Sequence, residues 1–159
     1  MATILSVDGR LAMSWTLNER TFVADEAFEP EEFTFTCAIH ARFDAADIPS
    51  QPTVQYDGQI TNTDVRNWLA SLRSAVTEGQ EVSFQPNSSL GFHVQIHPEP
   101  QGLAGVAIWF EWDRMMGVPL PEGGAPMFRG FRFTTTRDRM VSFILDITDE
   151  FNTHQRPPS

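Results

Sequence analysis

Residues 33–43 read FTFTCAIHARF, and their alternation constrains the fold more tightly than any other stretch of the chain. Phe33, Phe35, Cys37, Ile39, Ala41 and Phe43 fall on one side of an extended backbone, with Thr34, Thr36, His40 and Arg42 on the other. Successive side chains of a strand point to opposite faces, so the stretch predicts a strand with one face in a core.

The period changes once, in the middle of the chain. In TNTDVRNWLASLRSAVTEG, Val65, Trp68, Leu69, Leu72 and Val76 follow the i, i+3, i+4, i+7 spacing of an amphipathic helix over about 63–77. Thr61 or Thr63 suits its cap, Asp64 its first turn and Gly79 the position after its end. Elsewhere period 2 prevails. Asp8-Gly9 sits between two extended apolar runs, 2–7 and 10–18, and predicts a hairpin. TVQYDGQI reads as a short strand with a possible break at Gly58. EVSFQP and SLGFHVQIHP make two strands around Pro86-Asn87-Ser88, with Pro98 ending the second. LAGVAIWFEWD makes another, and FRGFRFTTT one more. Residues 19–32, 44–52 and the Pro- and Gly-rich RMMGVPLPEGGAPM read as loops. The closing segment fits two patterns. Val141, Phe143, Leu145 and Ile147 alternate, while Met140, Ile144, Ile147 and Phe151 share one helical stripe. Thr135 followed by Asp138 resembles a capping arrangement and tips the reading to a helix over about 137–151. No internal repeat is visible. The expectation is an α+β fold: a mainly antiparallel sheet of about seven to eight strands, a central helix and a C-terminal helix, in a single domain over 1–154 with a disordered tail at 155–159.

Charge narrows the function. The chain carries eleven arginines, no lysine and twenty-one acids, a net charge of −10. Residues 1–64 hold eleven of those acids and three arginines. A chain this acidic is ill suited to bind nucleic acid directly, whereas a basic protein partner would meet it faster. No apolar run approaches the roughly 18–20 residues of a membrane span. The start has no basic region followed by a long apolar one, and the single cysteine rules out an internal disulfide framework. Together these predict a cytoplasmic home.

Motifs for chemistry are scarce. His93 and His97 sit four apart, but on a strand that spacing separates them by roughly 13 Å, too far to share a metal ion. His40 falls on the polar side of its strand and His154 near the end; neither lies in a His-Glu-x-x-His pattern. Cys37, on an apolar face, reads as a buried inert thiol. The serines form no Gly-x-Ser-x-Gly elbow, and Gly123-Gly124 lacks the lysine and helix of a phosphate loop. Acid pairs such as Glu31/Glu32 and Asp149/Glu150 read as solvated. No catalytic residue, metal or cofactor is expected. What remains suits contact. ADEAFEPEE sets Phe28 among Asp25, Glu26, Glu29, Glu31 and Glu32, an aromatic anchor amid steering charges. Trp109 shares a strand face with Glu111 and Asp113 and is a second candidate anchor if that face is open. Trp68 and Trp112 read as core.

The order of elements resembles the small WapI-type immunity proteins of bacterial polymorphic toxin systems. The resemblance rests on the opening hairpin, the acidic loop before a long strand, TDVRNWLASLRSAV, the exit through Gly79 into VSFQPNSSLGFHVQI, VAIWFEW, the Pro-rich loop and FRFTTTRDRMVSFILDITDEF. It implies a closing helix and a cytoplasmic, non-enzymatic domain that binds a cognate toxin, commonly a basic nuclease, and occludes it. It carries over no binding residue, because the interface in that family varies with the toxin. Two other classes stay open: a binder of a small apolar ligand held between sheet and helix, with Phe33, Phe35, Phe92 and Phe110 as lining, and an enzyme assembled from distant residues.

Overall fold

A computed structural model describes residues 1–21, 32–41, 52–86, 91–119 and 122–155. The first strands are β1 (Ala2–Leu5), β2 (Leu11–Thr21), β3 (Glu32–Ala41) and β4 (Val54–Thr61), followed by α1 (Asn62–Thr77). Then come β5 (Val82–Phe84), β6 (Phe92–Glu99), β7 (Leu103–Glu111), the short α2 (Trp112–Met115), β8 (Phe128–Thr136) and α3 (Arg137–Gln155). The fold is α+β and mostly sheet, with one helix in mid-chain and one at the C-terminal end. The strands divide into two antiparallel sheets of four, ordered β1-β2-β3-β4 and β5-β6-β7-β8. Four strands and a helix therefore occur twice, a repeat of element order that the residues themselves do not display.

Local chemistry explains the boundaries. At the β1–β2 turn the Ser6 hydroxyl and the Arg10 N–H both donate to Asp8 Oδ1, at 2.6 and 3.1 Å, and Gly9 takes φ +70°. Helix α1 opens on a full capping box. Asp64 N–H donates to Thr61 Oγ1, and Thr61 N–H donates to the Asp64 carboxylate. At its other end Gly79 adopts φ +63°. Helix α3 is capped differently from the expected Thr135–Asp138 arrangement. Thr136 Oγ1 accepts from Arg139 N–H, while Thr135 is fully buried and donates to Leu5 O. The helix also runs to Gln155, four residues beyond the expected end.

Three strand expectations change. β4 passes through Gly58 unbroken, pairing it with Phe35. Pro98 lies inside β6, opposite Ala104; β5 pairs no further than Ile96, which leaves that flank of β6 an edge where proline is tolerated. β7 ends at Glu111, so Trp112 leaves the sheet and starts α2. It is half-buried rather than core, with the Arg129 guanidinium 4.3 Å from its ring centroid.

The core lies between the inner faces of the two sheets and the helices. Phe92 of β6 stands 5.8, 5.4 and 5.6 Å from the rings of Trp15, Phe35 and Tyr56, joining one sheet to the other. Trp68 of α1 stacks on Phe84 at 4.7 Å. Met140, Phe143, Ile144, Ile147 and Phe151 give α3 one buried stripe, which settles its period in favour of helix. Each fully buried side chain of this size stabilises the fold by about 1.5–3 kcal/mol relative to exposure.

Candidate functional site

Of the expected contact residues, Asp25, Glu26, Phe28, Glu29 and Glu31 lie outside the described residues. Glu32 opens β3, its backbone opposite Thr21 and Thr61. Trp109 is placed in full. It lies between buried Ile108 and Phe110 on β7, so its side chain is on the face turned away from the core, and it is half-buried there. Asp113, expected on the same strand face, lies in α2 instead.

The outer face of the second sheet is built around Trp109. In register it is flanked by His93 on β6 and Gly130 on β8. A Cβ added at Gly130 would lie 2.4 Å from Trp109 Cε3, so the indole occupies the space that any other residue would claim. Glycine leaves the strand uncovered and the aromatic ring covers it, a pairing that pins the indole by shape. Trp109, Phe128, His93, Gln85 and Gln95 line a shallow depression of about 320 Å³. Phe128 is 40% exposed. Further along the same face Arg132, His97, Glu99 and Thr134 border a second depression, of about 370 Å³, which opens over Gly105.

The histidines of this face act separately. His93 Nε2 lies 2.5 Å from Ser83 Oγ, and His97 Nδ1 lies 3.3 Å from Glu81 Oε1. A serine–histidine contact alone does not make a nucleophile; the base needs a third group to orient it. Among the described residues no carboxylate bonds His93, and no group of three or more His, Cys, Asp or Glu converges as a metal site would require. His40 keeps its expected place on the polar side of its strand but is not open there. It is buried on the outer side of the first sheet, with Nε2 3.3 Å from Ser14 Oγ. Burial pushes the Cys37 thiol far above its ordinary value of 9.0, which keeps it protonated and unreactive. The four phenylalanines weighed as the lining of a ligand cavity, Phe33, Phe35, Phe92 and Phe110, are completely buried, and Phe92 is in ring contact with both Phe35 and Phe110.

Sequence reasoning missed a set of exposed apolar side chains between α2 and the start of β8. Met116, Val118, Met127 and Phe128 are all at least 40% exposed. Phe128 opens β8, and the other three come from the Pro- and Gly-rich connection, whose two ends are tied to α2: Met127 N–H donates to Asp113 Oδ2 at 2.6 Å, Val118 N–H donates to Asp113 O, and Trp112 N–H donates to Met127 O. Apolar residues without period inside a loop were the available signal. Exposed methionines adapt readily to the shape of whatever packs on them.

No family profile matches the chain, and no curated protein matches it. A solved structure of the plant transcriptional regulator PBF-2 is similar over 89% of this chain and 74% of that one, at 8% identity and a TM-score of 0.43. Among the described residues no helix is long and apolar enough to cross a membrane.

Proposed function

We propose that this chain is an immunity-type binding protein of the WapI kind, acting in the cytoplasm on a cognate toxin domain with a basic surface. It works by occlusion. The acids of the first half, among them Asp25, Glu26, Glu29, Glu31 and Glu32, steer the encounter, and Phe28 and the Trp109–Phe128 platform anchor it. The observation that carries the reading is the placement of Trp109: a large aromatic left half-open on an outer sheet face, seated on a glycine and sharing a depression with the exposed ring of Phe128. An open aromatic pair of this kind on an otherwise acidic chain supports a contact role.

The test is association with the toxin domain encoded beside this chain, measured at several salt concentrations. Trp109→Ala should weaken binding by about 30-fold or more, chiefly through faster dissociation, as for a buried aromatic anchor worth about 2 kcal/mol. Charge reversal at Glu29, Glu31 and Glu32 should slow association, and rising salt should do the same in the parent. Binding that ignores salt, the reversals and Trp109→Ala alike would end this reading.

A further inference from the structure

The far end of the β6–β7 hairpin, away from Trp109, carries a second concavity. It is a groove of about 140 Å³ where the C-terminal end of α1, the hairpin and the first turn of α3 meet. Ile96 and Met140, each 2% exposed, and Ala104 form its floor; Ala75, Val76 and Leu103 form its walls. The backbone around it is held in place. Gln101 and Gly102 turn the hairpin with φ of +64° and +70°, Gly102 O accepts from Arg137 N–H at 2.9 Å, and Gly79 closes α1 on the opposite rim. A volume near 150 Å³ admits a benzene-sized guest.

Two charged residues border the groove, and they are not equivalent. Glu99 is engaged on the outer sheet face, with Oε2 accepting from Thr134 Oγ1 and Oε1 lying against Gly105. The Arg137 side chain has no hydrogen-bond or ion-pair partner among the described residues. An apolar hollow beside an unpaired guanidinium is complementary to one class of molecule: a compact apolar body ending in a carboxylate.

We infer that this groove binds a small branched or aromatic carboxylate, with its hydrocarbon part on Ile96, Ala104 and Met140 and its charge on Arg137. The site is distinct from the docking face and does not depend on that reading.

Titration of the intact chain with 4-methylpentanoate, followed by methyl NMR, tests it; the alcohol and the amine of the same skeleton serve as controls. The carboxylate should shift the Met140, Ala104 and Ala75 methyls saturably, with a Kd of about 1 mM for a ligand of about eight non-hydrogen atoms. The amine should bind at least about tenfold more weakly, a difference of about 1.4 kcal/mol. Arg137→Gln should abolish the preference for carboxylate over alcohol while leaving the alcohol's shifts in place. Val76→Trp should fill the groove and remove binding of both. Shifts absent to about 10 mM, shifts outside the groove, equal binding of the amine, or indifference to either variant would each overturn the assignment.

Discussion

The outer faces of the two sheets are made to opposite specifications. On the first sheet several polar side chains bond to one another. Asn18 Nδ2 donates to Thr36 Oγ1, Thr36 donates to Asp57 Oδ1 at 2.6 Å, and Gln55 donates to the same carboxylate. Ser14 and His40 are buried against each other nearby. On the second sheet the corresponding surface is interrupted. Gly105 and Gly130 leave gaps in the side-chain layer, Trp109 and Glu99 lean across them, and the depressions between are bordered by His93, His97, Arg132 and Phe128. A bonded polar lattice has little to offer a partner, because its donors and acceptors are already used. An aromatic beside open concavities offers area at low entropic cost. The same strand count and order thus produce a finished face and a receptive one, and what separates them is where glycine and aromatic residues fall in the register.

The sharpest test of the comparison asks whether the halves are one folding unit. Phe92→Ala removes the ring that touches Trp15, Phe35 and Tyr56, and should cost about 3–5 kcal/mol. Denaturant unfolding followed by tryptophan fluorescence and by circular dichroism should show one shared transition at a lower midpoint. Separate transitions would show that the sheets are stabilised independently. Next in size is the contrast between the faces. Gly130→Val places methyl groups where Trp109 lies, and should destabilise by about 1–3 kcal/mol while moving the indole into solvent, seen as a red-shifted emission. Asp57→Ala, on the lattice of the first sheet, should change stability by under about 1 kcal/mol and leave partner binding unaltered. If Asp57→Ala weakens binding as much as Trp109→Ala, the division into finished and receptive faces fails. The smallest effect concerns the two hairpin turns. The Ser6 hydroxyl bond, helped by the Arg10 N–H, holds the Asp8 carboxyl below its ordinary 3.8. A folded-state pKa that is depressed contributes stability above the unfolded value, and that stability drains away as pH falls through the lower folded value. Asp8→Asn should therefore flatten part of the loss of stability below about pH 4, read from denaturant midpoints across the acid range. The β6–β7 turn rests on positive φ at Gln101 and Gly102 and should add nothing to that dependence.

Where the side-chain pattern is local, the sequence was legible. The alternation of Phe33, Phe35, Cys37 and Ile39 predicted a buried strand face, and all four are fully buried. The spacing of Val65, Trp68, Leu69 and Leu72, with Thr61 and Asp64 at the start, predicted α1 to within a residue. Short-range rules sufficed because the cap and the turn are chemistry between residues at most a few positions apart. They failed where a residue's fate rests on distant neighbours. Thr135 looked like a cap and is a core donor to Leu5, 130 positions away. His40 has the polar side of its strand but is buried with Ser14. Trp112 continued an alternating run, yet β7 ends before it.

The sequence by itself determined the kinds of element, their order and the acidity of the chain, since periodicity, caps and charge are properties of neighbours along the backbone. Only the tertiary structure decided that the strands part into two sheets, that Gly130 stands under Trp109, and that α1, the β6–β7 hairpin and Arg137 enclose one groove. Those outcomes depend on strand register and on which faces meet. Both are settled by burying the most apolar surface across the whole chain rather than by any stretch of it.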